Sequence, residues 1–430
     1  MTVFAVPAPP AVRPRSRRLR APLAALCCAL LLGGSAATAA VAVPPLAHTQ
    51  AQHQGRGTLV SADKLYTLAT PGDVADELAA AGFDGAAARH GVVAYRLVHR
   101  TVDARNRPTT ASGLFVLPLT DERRLRAVSF AHGTGSHKID SPSMQRAAFV
   151  AAPVIAHAAA GAVGVAPDYL GMGTGPGPHP WMDIDSETTA SLDLLRAARA
   201  FAPRTGHTLA RDVMVTGFSQ GASAALGLGR ALEAGEDRWF RLGALAPVSG
   251  AYDFGGTELP ALFAGGDVGP KAAVIYAAYT LVAFDRLHPV YDSPGEVFDE
   301  AEDIEKLFDG VHTGQQLMAG LPDTLDELLT DRGRALLEHP AGALADALRT
   351  TDAVCTDWVP EAPVRLYMAS GDEQAVTANT EHCRAALHRN GVDTPVVDLG
   401  AVDHQGSRHL GSNVAATSAI VRWFGELRTR

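Results

Sequence analysis

The residues Gly217-Phe218-Ser219-Gln220-Gly221 lie between two stretches of different character. Residues 212–218 form a short β-branched run that predicts a buried strand, and residues 220–233 are rich in Ala and Leu and predict a helix. A serine between two glycines at such a junction is typical of a sharp turn that exposes the hydroxyl above the edge of a sheet. Ser219 is therefore a candidate nucleophile, and the N–H of Gln220 at the start of the helix is a candidate donor to an oxyanion.

Short apolar runs alternate with helical patterns on both sides of this stretch. Strands are predicted at 92–98, 112–117, 125–131, 162–166, 212–218 and 242–248, and helices at 65–81, 144–160, 186–202 and 220–233. The first two strands are expected to form a hairpin. The alternation that follows predicts an α/β fold, in which helices cover both faces of a mostly parallel sheet.

The alternation stops near Gly250 and resumes near Pro363. The residues between contain several helical patterns and no strand-like run. We expect a helical cap at about residues 255–355, inserted between two late strands and lying above the carboxyl ends of the strands, where sheets of this kind bind ligands. The sheet then continues with strands at 364–368 and 395–399, and helices at 377–389 and 413–427 follow them.

A serine hydroxyl is a weak nucleophile that needs a base, and the base needs an acid to orient it. In a sheet of this kind the expected chain order is serine, acid, histidine, each in a loop at the carboxyl end of a strand. Asp372 follows the first of the two late strands and His404 follows the second, so both are predicted to complete a triad with Ser219. The alternatives that remain open are Glu373 and Asp403 for the acid, and His409 and His388 for the base.

A second oxyanion donor is expected from the loop after the strand that ends at Ala131. This loop begins His132-Gly133-Thr134, and a glycine-bearing turn can direct its backbone N–H groups inward. Gly133 and Thr134 are therefore predicted to complement Gln220. His132 is expected to shape the turn rather than to titrate during the reaction.

The first forty residues have the composition of a secretory signal peptide. Five arginines precede an apolar stretch at 22–32, and small residues at Ala37 and Ala39 mark a cleavage position. The apolar stretch is too short to span a membrane. We therefore predict a secreted protein with a signal peptide at 1–40, a flexible N-terminus at 41–60, one domain at 61–430, and no stable membrane anchor.

Cysteine usage and charge narrow the class of protein further. Cys27 and Cys28 lie in the predicted signal peptide, so Cys355 and Cys383 remain in an oxidising compartment and are expected to pair, with two free buried thiols as the alternative. Loss of the first forty residues takes the formal charge from −9 to −14, which disfavours nucleic acid and anionic membranes as partners. The sixteen histidines show no paired metal-ligand spacing, so no metal site is predicted.

With these residues placed, the chain resembles the α/β-hydrolases, specifically the secreted bacterial lipases and esterases related to the secretory lipase family. The resemblance extends from about residue 55 to the C-terminus and rests on the motifs at 94–104, 132–134, 166–173, 217–221, 372–379 and 403–404. It implies a Ser219/His404/Asp372 triad, an acyl-enzyme intermediate, a small-molecule or lipid ester as substrate, and no cofactor. The sequence departs from the family at residues 374–377, where relatives usually have a valine directly after the glutamine and then a proline.

Two other interpretations of the same residues remain open. A serine peptidase or an acyltransferase would use the same three residues and would differ in what the cap admits. A secreted binding protein that keeps the fold without catalysis would show a broken triad, whereas all three residue types are present.

Overall fold

The structure is a computed structural model that describes residues 55–146, 149–299 and 301–427. The predicted signal peptide, and residues 41–54 of the stretch expected to be flexible, lie outside these residues. Within the described ranges, no helix is both long enough and apolar enough to cross a membrane.

A sheet of nine strands forms the centre of the described residues. The strands are β1 (Leu59–Leu68), β2 (Val92–Val102), β3 (Pro108–Pro118), β4 (Arg124–Ala131), β5 (Val163–Pro167), β6 (Thr208–Phe218), β7 (Arg241–Val248), β8 (Leu366–Met368) and β9 (Val396–Asp398). They lie in the order β1-β2-β3-β5-β4-β6-β7-β8-β9. The pairs β1–β2, β2–β3 and β3–β5 are antiparallel, and all other neighbours are parallel. This confirms the mostly parallel sheet that the sequence predicts.

Helices cover both faces of this sheet. In chain order the α-helices of the described residues are α1 (Pro71–Ala80), α2 (Ala152–Ala159), α3 (Ile184–Phe201), α4 (Gln220–Glu233), α5 (Leu259–Ala264), α6 (Pro270–Leu287), α7 (Ala301–Ile304), α8 (Gly314–Gly320), α9 (Leu325–Leu328), α10 (Asp331–Glu338), α11 (Gly342–Thr351), α12 (Ala378–Arg389) and α13 (Arg408–Glu426). Helices α3, α4 and α12 share one apolar core with the sheet, and α1, α2 and α13 share a second. Along β3, Phe115 faces the first core and Leu114 the second, because successive side chains of a strand point to opposite faces.

Helices α5–α11 lie between β7 and β8, and we call them the cap. Every regular element that the structure describes between these two strands is helical. The cap has its own apolar core, which includes Val274, Leu281 and Phe298. Trp181 and Val376, from the loops that follow β5 and β8, belong to the same core, so the cap packs directly on two loops at the carboxyl edge of the sheet.

The structure corrects the predicted start of the first helix. Residues 65–81 are predicted as one helix and 41–60 as flexible, but β1 occupies the end of the second stretch and the start of the first. Thr70 separates strand from helix, because its hydroxyl accepts from the N–H of Asp73 and the Asp73 carboxylate accepts from the N–H of Thr70. With Pro71 as the next residue, this capping box fixes where α1 begins.

Cys355 and Cys383 form a disulfide, with their Cα atoms 5.2 Å apart, which confirms the predicted pairing. Both residues are buried in the core that the sheet shares with α3, α4 and α12. The bond therefore joins the segment that follows the cap to α12, the helix that follows β8.

Candidate active site

Ser219 lies in the turn between β6 and α4. Its backbone has φ 57° and ψ −125°, which is strained for a residue that carries a side chain. Flanking glycines make room for this turn: a Cβ on Gly217 would lie 1.9 Å from the carbonyl oxygen of Gly221, and a Cβ on Gly221 would lie 2.1 Å from the carbonyl oxygen of Ala131. The pattern of glycines around the serine thus has a steric cause.

The imidazole of His409 joins Ser219 to Asp372. Its Nε2 lies 2.9 Å from the Oγ of Ser219, and its Nδ1 lies 2.9 Å from each carboxylate oxygen of Asp372. His409 is 2 % exposed and Asp372 is 4 % exposed, so bulk water does not compete for the two bonds between them. With Nδ1–H donating to the carboxylate, Nε2 is free to accept the hydroxyl proton of Ser219.

Asp372 is buried and remains ionised. Burial raises the pKa of this carboxyl, but the charge and hydrogen bond of His409 and the N–H groups of Ala375 and Gln374 outweigh that effect and hold the pKa below its usual value. Both N–H groups donate to Oδ1 at 3.0 Å. Both donors lie in residues 369–377, which we call the β8 loop. An ionised carboxylate at this place fixes the tautomer and the orientation of the His409 ring.

The structure contradicts the prediction that His404 is the partner of Ser219. His404 lies in the turn before α13, where its ring packs against Phe149 with centroids 5.3 Å apart and contacts the backbone at Gly82. Among the described residues it is His409, and not His404, whose ring forms a hydrogen bond with the serine hydroxyl. The histidine that the structure brings to the serine therefore lies five positions beyond the one predicted from sequence.

The start of α13 decides which histidine reaches the hydroxyl. The helix begins at Arg408, five residues earlier than predicted, so His409 lies in its first turn. The carboxylate of Glu373 fixes this end of the helix by accepting from the N–H groups of Arg408 at 3.0 Å and His409 at 3.3 Å. The hydroxyl of Ser407 also donates to Glu373, and Ser407 is the N-cap residue of the helix.

The remaining alternatives for acid and base have other surroundings. Glu373 caps α13 and so does not replace Asp372. The carboxylate of Asp403 accepts a backbone N–H from its own turn at 3.0 Å. His388 is exposed in the last turn of α12. His409 is the one alternative of the four that lies in hydrogen-bond contact with both the hydroxyl and the acid.

The loop that follows β4 runs beside Ser219, and we call residues 132–135 the β4 loop. A Cβ on Gly133 would lie 3.3 Å from the Cβ of Ser219, so the two backbones are in close contact. Thr134 lines the same cavity as Ser219. Gln220 is the first residue of α4, where a backbone N–H has no partner within the helix. The structure therefore brings all three predicted oxyanion residues to the serine.

His132, the first residue of this loop, lies against the buried side chain of Tyr169. Its Nδ1 is 2.7 Å from the carbonyl oxygen of Gly133, and its ring lies 4.4 Å from that of Tyr169. The hydroxyl of Tyr169 donates to the carbonyl oxygen of His132 at 3.0 Å. Burial lowers the pKa of His132, which leaves the ring neutral near pH 7.

This architecture has counterparts among solved structures. The ligand-bound form of the rice cell wall degrading esterase LipA from Xanthomonas oryzae is 26% identical in sequence, with a TM-score of 0.73, and the match covers 87% of this chain and 99% of that chain. The chain is an α/β-hydrolase.

Two further solved structures share the fold of this α/β-hydrolase. A Legionella pneumophila protein is 20% identical, with a TM-score of 0.77, over 86% of this chain and 98% of its own. Candida antarctica lipase A is 15% identical, with a TM-score of 0.59, over 80% of this chain and 76% of its own. No protein-family profile and no curated protein sequence matches the chain.

A buried polar cluster supports the start of α4 in this α/β-hydrolase. The side-chain Nε2 of Gln220 donates to Oε1 of Glu187 at 2.6 Å and to Nε2 of His179 at 3.0 Å. Burial raises the pKa of Glu187 well above its usual value. Glu187 is not predicted from the sequence as part of the site, because an acid in the first turn of a helix is usually an exposed residue that favours the helix dipole.

A cavity of about 100 Å³ adjoins Ser219 and His409 in this α/β-hydrolase. Its apolar walls are formed by Phe130, Phe149, Val150, Phe218, Tyr276 and Leu410. The cavity therefore combines a polar reactive edge with walls that suit a hydrocarbon group.

Within the part of the chain that the structure describes, no group of three or more His, Cys, Asp or Glu side chains is placed to hold a metal ion.

Proposed function

We propose that this α/β-hydrolase is a serine carboxylesterase, with Ser219 as nucleophile, His409 as general base and Asp372 as the orienting acid. The proposal is carried by one observation, the unbroken chain of hydrogen bonds from hydroxyl to imidazole to carboxylate, at 2.9 Å in each step. The likeness to LipA, which is described as a cell wall degrading esterase, supports an ester as the substrate.

In the first half of the reaction, the Oγ of Ser219 attacks the ester carbonyl carbon while Nε2 of His409 takes the hydroxyl proton. The new C–O bond moves an electron pair onto the carbonyl oxygen. The N–H groups of Gln220 and of the Gly133-Thr134 turn would hold this oxyanion. When the tetrahedral intermediate collapses, the bond to the alcohol breaks and the alcohol leaves with the proton from His409.

In the second half, water attacks the carbonyl carbon of the acyl-enzyme. His409 takes a proton from the water and returns it to Oγ as the carboxylic acid leaves, which restores Ser219. The ionised Asp372 stabilises the imidazolium in both halves. Each step uses these side chains, the backbone donors and water.

The cavity beside the serine limits the size of the group that can be bound. At about 100 Å³ it is smaller than the cavity of roughly 150 Å³ that holds a benzene molecule. Its apolar walls favour a hydrocarbon chain over a polar group. We therefore infer that one side of the ester carries a short chain, up to about four carbons.

We also propose that the protein is secreted. The Cys355–Cys383 disulfide supports an oxidising compartment, and the predicted signal peptide supplies the export signal. Expression of the full chain in a bacterial host should yield protein outside the cytoplasm whose N-terminus lies near residue 40. Recovery of the uncleaved chain from the cytoplasm alone would contradict the export proposal.

The activity is tested with a fluorophosphonate label and a series of p-nitrophenyl esters from acetate to palmitate. The label should add one phosphonyl group to Ser219, and hydrolysis should be fastest for acetate to butyrate. Ser219→Ala should show neither reaction. Absence of an adduct would favour a binding protein without catalysis. Faster cleavage of peptide amides, or faster acyl transfer to an alcohol than to water, would favour the peptidase or the acyltransferase.

A further inference from the structure

One helix of the cap contacts both loops of the proposed site. Tyr276 and Tyr279 lie one turn apart on α6, a spacing that places their side chains on one face of the helix. The hydroxyl of Tyr276 donates to Oε1 of Gln374 at 2.9 Å, and the hydroxyl of Tyr279 donates to the carbonyl oxygen of Gly135 at 3.2 Å. Gln374 belongs to the β8 loop and Gly135 to the β4 loop.

Trp181 adds a second contact to the β4 loop. Its indole is stacked on the ring of Tyr279, with centroids 4.6 Å apart and planes 8° apart. The indole N–H donates to the Oγ1 of Thr134 at 3.0 Å. Trp181 and Tyr279 are each 3 % exposed, so water does not compete for either bond. The β4 loop therefore receives two hydrogen bonds from one stacked pair.

These bonds matter because two of the four residues of the β4 loop are glycines. Gly133 and Gly135 have no side chains that could anchor them, and a glycine backbone has more accessible conformations than that of any other residue. An oxyanion donor is effective only where its N–H stays at about 2.7–3.1 Å from the developing charge. The bonds from Tyr279 and Trp181 fix Gly135 and Thr134, the two residues that follow Gly133.

Both tyrosines keep their protons under ordinary conditions. Burial raises the pKa of Tyr276 and of Tyr279 above the usual value for a phenol. Each hydroxyl therefore remains a donor throughout the neutral pH range, and its hydrogen bond to the loop does not depend on pH there.

We propose that Tyr279 and Trp181 are positioning residues for the oxyanion donors, and that Tyr276 is a positioning residue for the loop that holds Asp372. Helix α6 then contributes to the rate of the chemical step and does not only control access to the serine. This inference rests on the proposed esterase function.

The two roles of a cap differ in their kinetic signature. A cap that only controls access changes binding of substrate, so loss of its contacts changes KM and leaves kcat constant. A cap that positions oxyanion donors acts on the transition state, so loss of its contacts lowers kcat and weakens transition-state analogues by the same factor.

The test compares Tyr279→Phe, Trp181→Phe and Tyr276→Phe with Tyr291→Phe as the matched control. Tyr291 also lies in the insertion between β7 and β8, and its hydroxyl donates to Glu305 at 2.7 Å, a residue that belongs to neither loop. For each variant we would measure kcat and KM with p-nitrophenyl butyrate, inhibition by an alkyl trifluoromethyl ketone, and Tm.

Tyr279→Phe should lower kcat about tenfold, less than the loss of about 10²–10³-fold on deleting an oxyanion donor outright. Its affinity for the ketone should fall by the same factor, while KM stays constant. Trp181→Phe should behave similarly and Tyr276→Phe should show a smaller loss of kcat. Tyr291→Phe should match the wild type in kcat and in affinity for the ketone.

Three results would overturn the inference. Unchanged kcat and ketone affinity in Tyr279→Phe would remove the positioning role, and a change in KM alone would leave the cap as an access element. Equal losses in Tyr279→Phe and Tyr291→Phe, following Tm, would indicate general destabilisation. Failure of the proposed function is recognised separately, because the wild type would then neither hydrolyse esters nor take the fluorophosphonate.

Discussion

His404 and His409 lie on opposite sides of the N-terminus of α13, and their surroundings differ in kind. His404 is in a partly exposed turn, where its ring packs against Phe149. His409 is 2 % exposed, and both of its ring nitrogens have partners. The first turn of a capped helix holds a ring in one orientation, whereas a turn residue can move with its loop. The comparison shows that a rigid element supplies the histidine that contacts Ser219.

Replacing the two histidines in turn is expected to give the largest effect. His409→Asn should lower kcat for p-nitrophenyl butyrate by as much as about 10⁶-fold, because Ser219 loses the group that takes its proton. His404→Asn should leave kcat unchanged, with any effect confined to KM because His404 contacts the cavity residue Phe149. Tm should be measured for both variants to exclude unfolding. Loss of activity in His404→Asn with retention in His409→Asn would restore the assignment made from the sequence.

Much of the site is predictable from sequence because its signals are local. Gly217, Ser219 and Gly221 fall within five residues, and their steric requirement is a property of one turn. The acid follows the end of a strand whose apolar run is visible. The mostly parallel sheet follows from the same alternation of strands and helices, so the fold class and two of the three proposed catalytic residues are predicted without coordinates.

The position of the histidine depends on contacts that are distant in the chain. Helix α13 starts early because Glu373 accepts from Arg408, which is 35 residues further along the chain. No pattern near residue 408 shows that a carboxylate from another loop is present. The polar turn at 403–407 therefore resembles a catalytic loop in sequence, although it leads directly into α13. The sequence fails to predict β1 for the same reason, because the pairing of β1 with β2 is not local.

A second pair of variants compares Asp372, the acid beside His409, with Asp403, the acid next to His404 in the chain. Asp372→Asn should lower kcat by about 10⁴-fold, because an amide at this place no longer selects the tautomer of His409 that can accept the serine proton. Asp403→Asn should leave kcat unchanged, because its carboxylate only closes its own turn. A loss in Asp403→Asn comparable with that in Asp372→Asn would contradict this division of roles.

Asp372 should also affect how the stability of the protein depends on pH, because its pKa in the folded protein lies below the usual value of 3.8. A carboxyl with a lowered pKa stabilises the fold fully above its unfolded pKa, and this contribution is lost as the pH falls through the folded pKa. The stability that the ionised carboxylate contributes should therefore be constant from pH 7 to pH 5 and decline only in the acid range below. Tm of the wild type and of Asp372→Asn between pH 7 and pH 3 provides the measurement.

Glu373 is expected to show an intermediate effect, since it acts on His409 only through the helix. Glu373→Gln keeps an acceptor but loses the charge that favours the N-terminus of α13. We expect a loss of about 0.5–2 kcal/mol in stability, as for other helix caps, and a fall in kcat smaller than that of Asp372→Asn. Glu381→Gln is the control, because Glu381 pairs with Arg384 on the exposed face of α12. Unchanged kcat and Tm in Glu373→Gln would show that the helix start does not depend on this carboxylate.

The smallest effect on activity is expected at a second buried carboxyl that contacts the β8 loop. Glu258 is 2 % exposed, and its Oε2 accepts from the N–H of Val376 at 3.2 Å and from Nδ2 of Asn379 at 2.6 Å. Unlike those of Asp372, the donors to its Oε2 include no histidine, and its Oε1 has no hydrogen-bond partner in the described residues. Burial raises its pKa to about 8, so it is neutral at pH 7 and Glu258→Gln should leave kcat unchanged there.

The stabilities of the wild type and of Glu258→Gln should nevertheless diverge as the pH rises. Below the usual pKa of 4.5, Glu258 is protonated in both the folded and the unfolded chain and has no effect on the pH dependence. Between about 4.5 and about 8 the unfolded chain releases this proton while the folded chain keeps it, so the free energy of unfolding falls as the pH rises. Glu258→Gln lacks this proton, and its stability relative to the wild type should increase over that window and level off above pH 8. A constant difference in Tm from pH 5 to pH 8 would mean that the protein supplies Glu258 with enough donors to ionise it, as it does for Asp372.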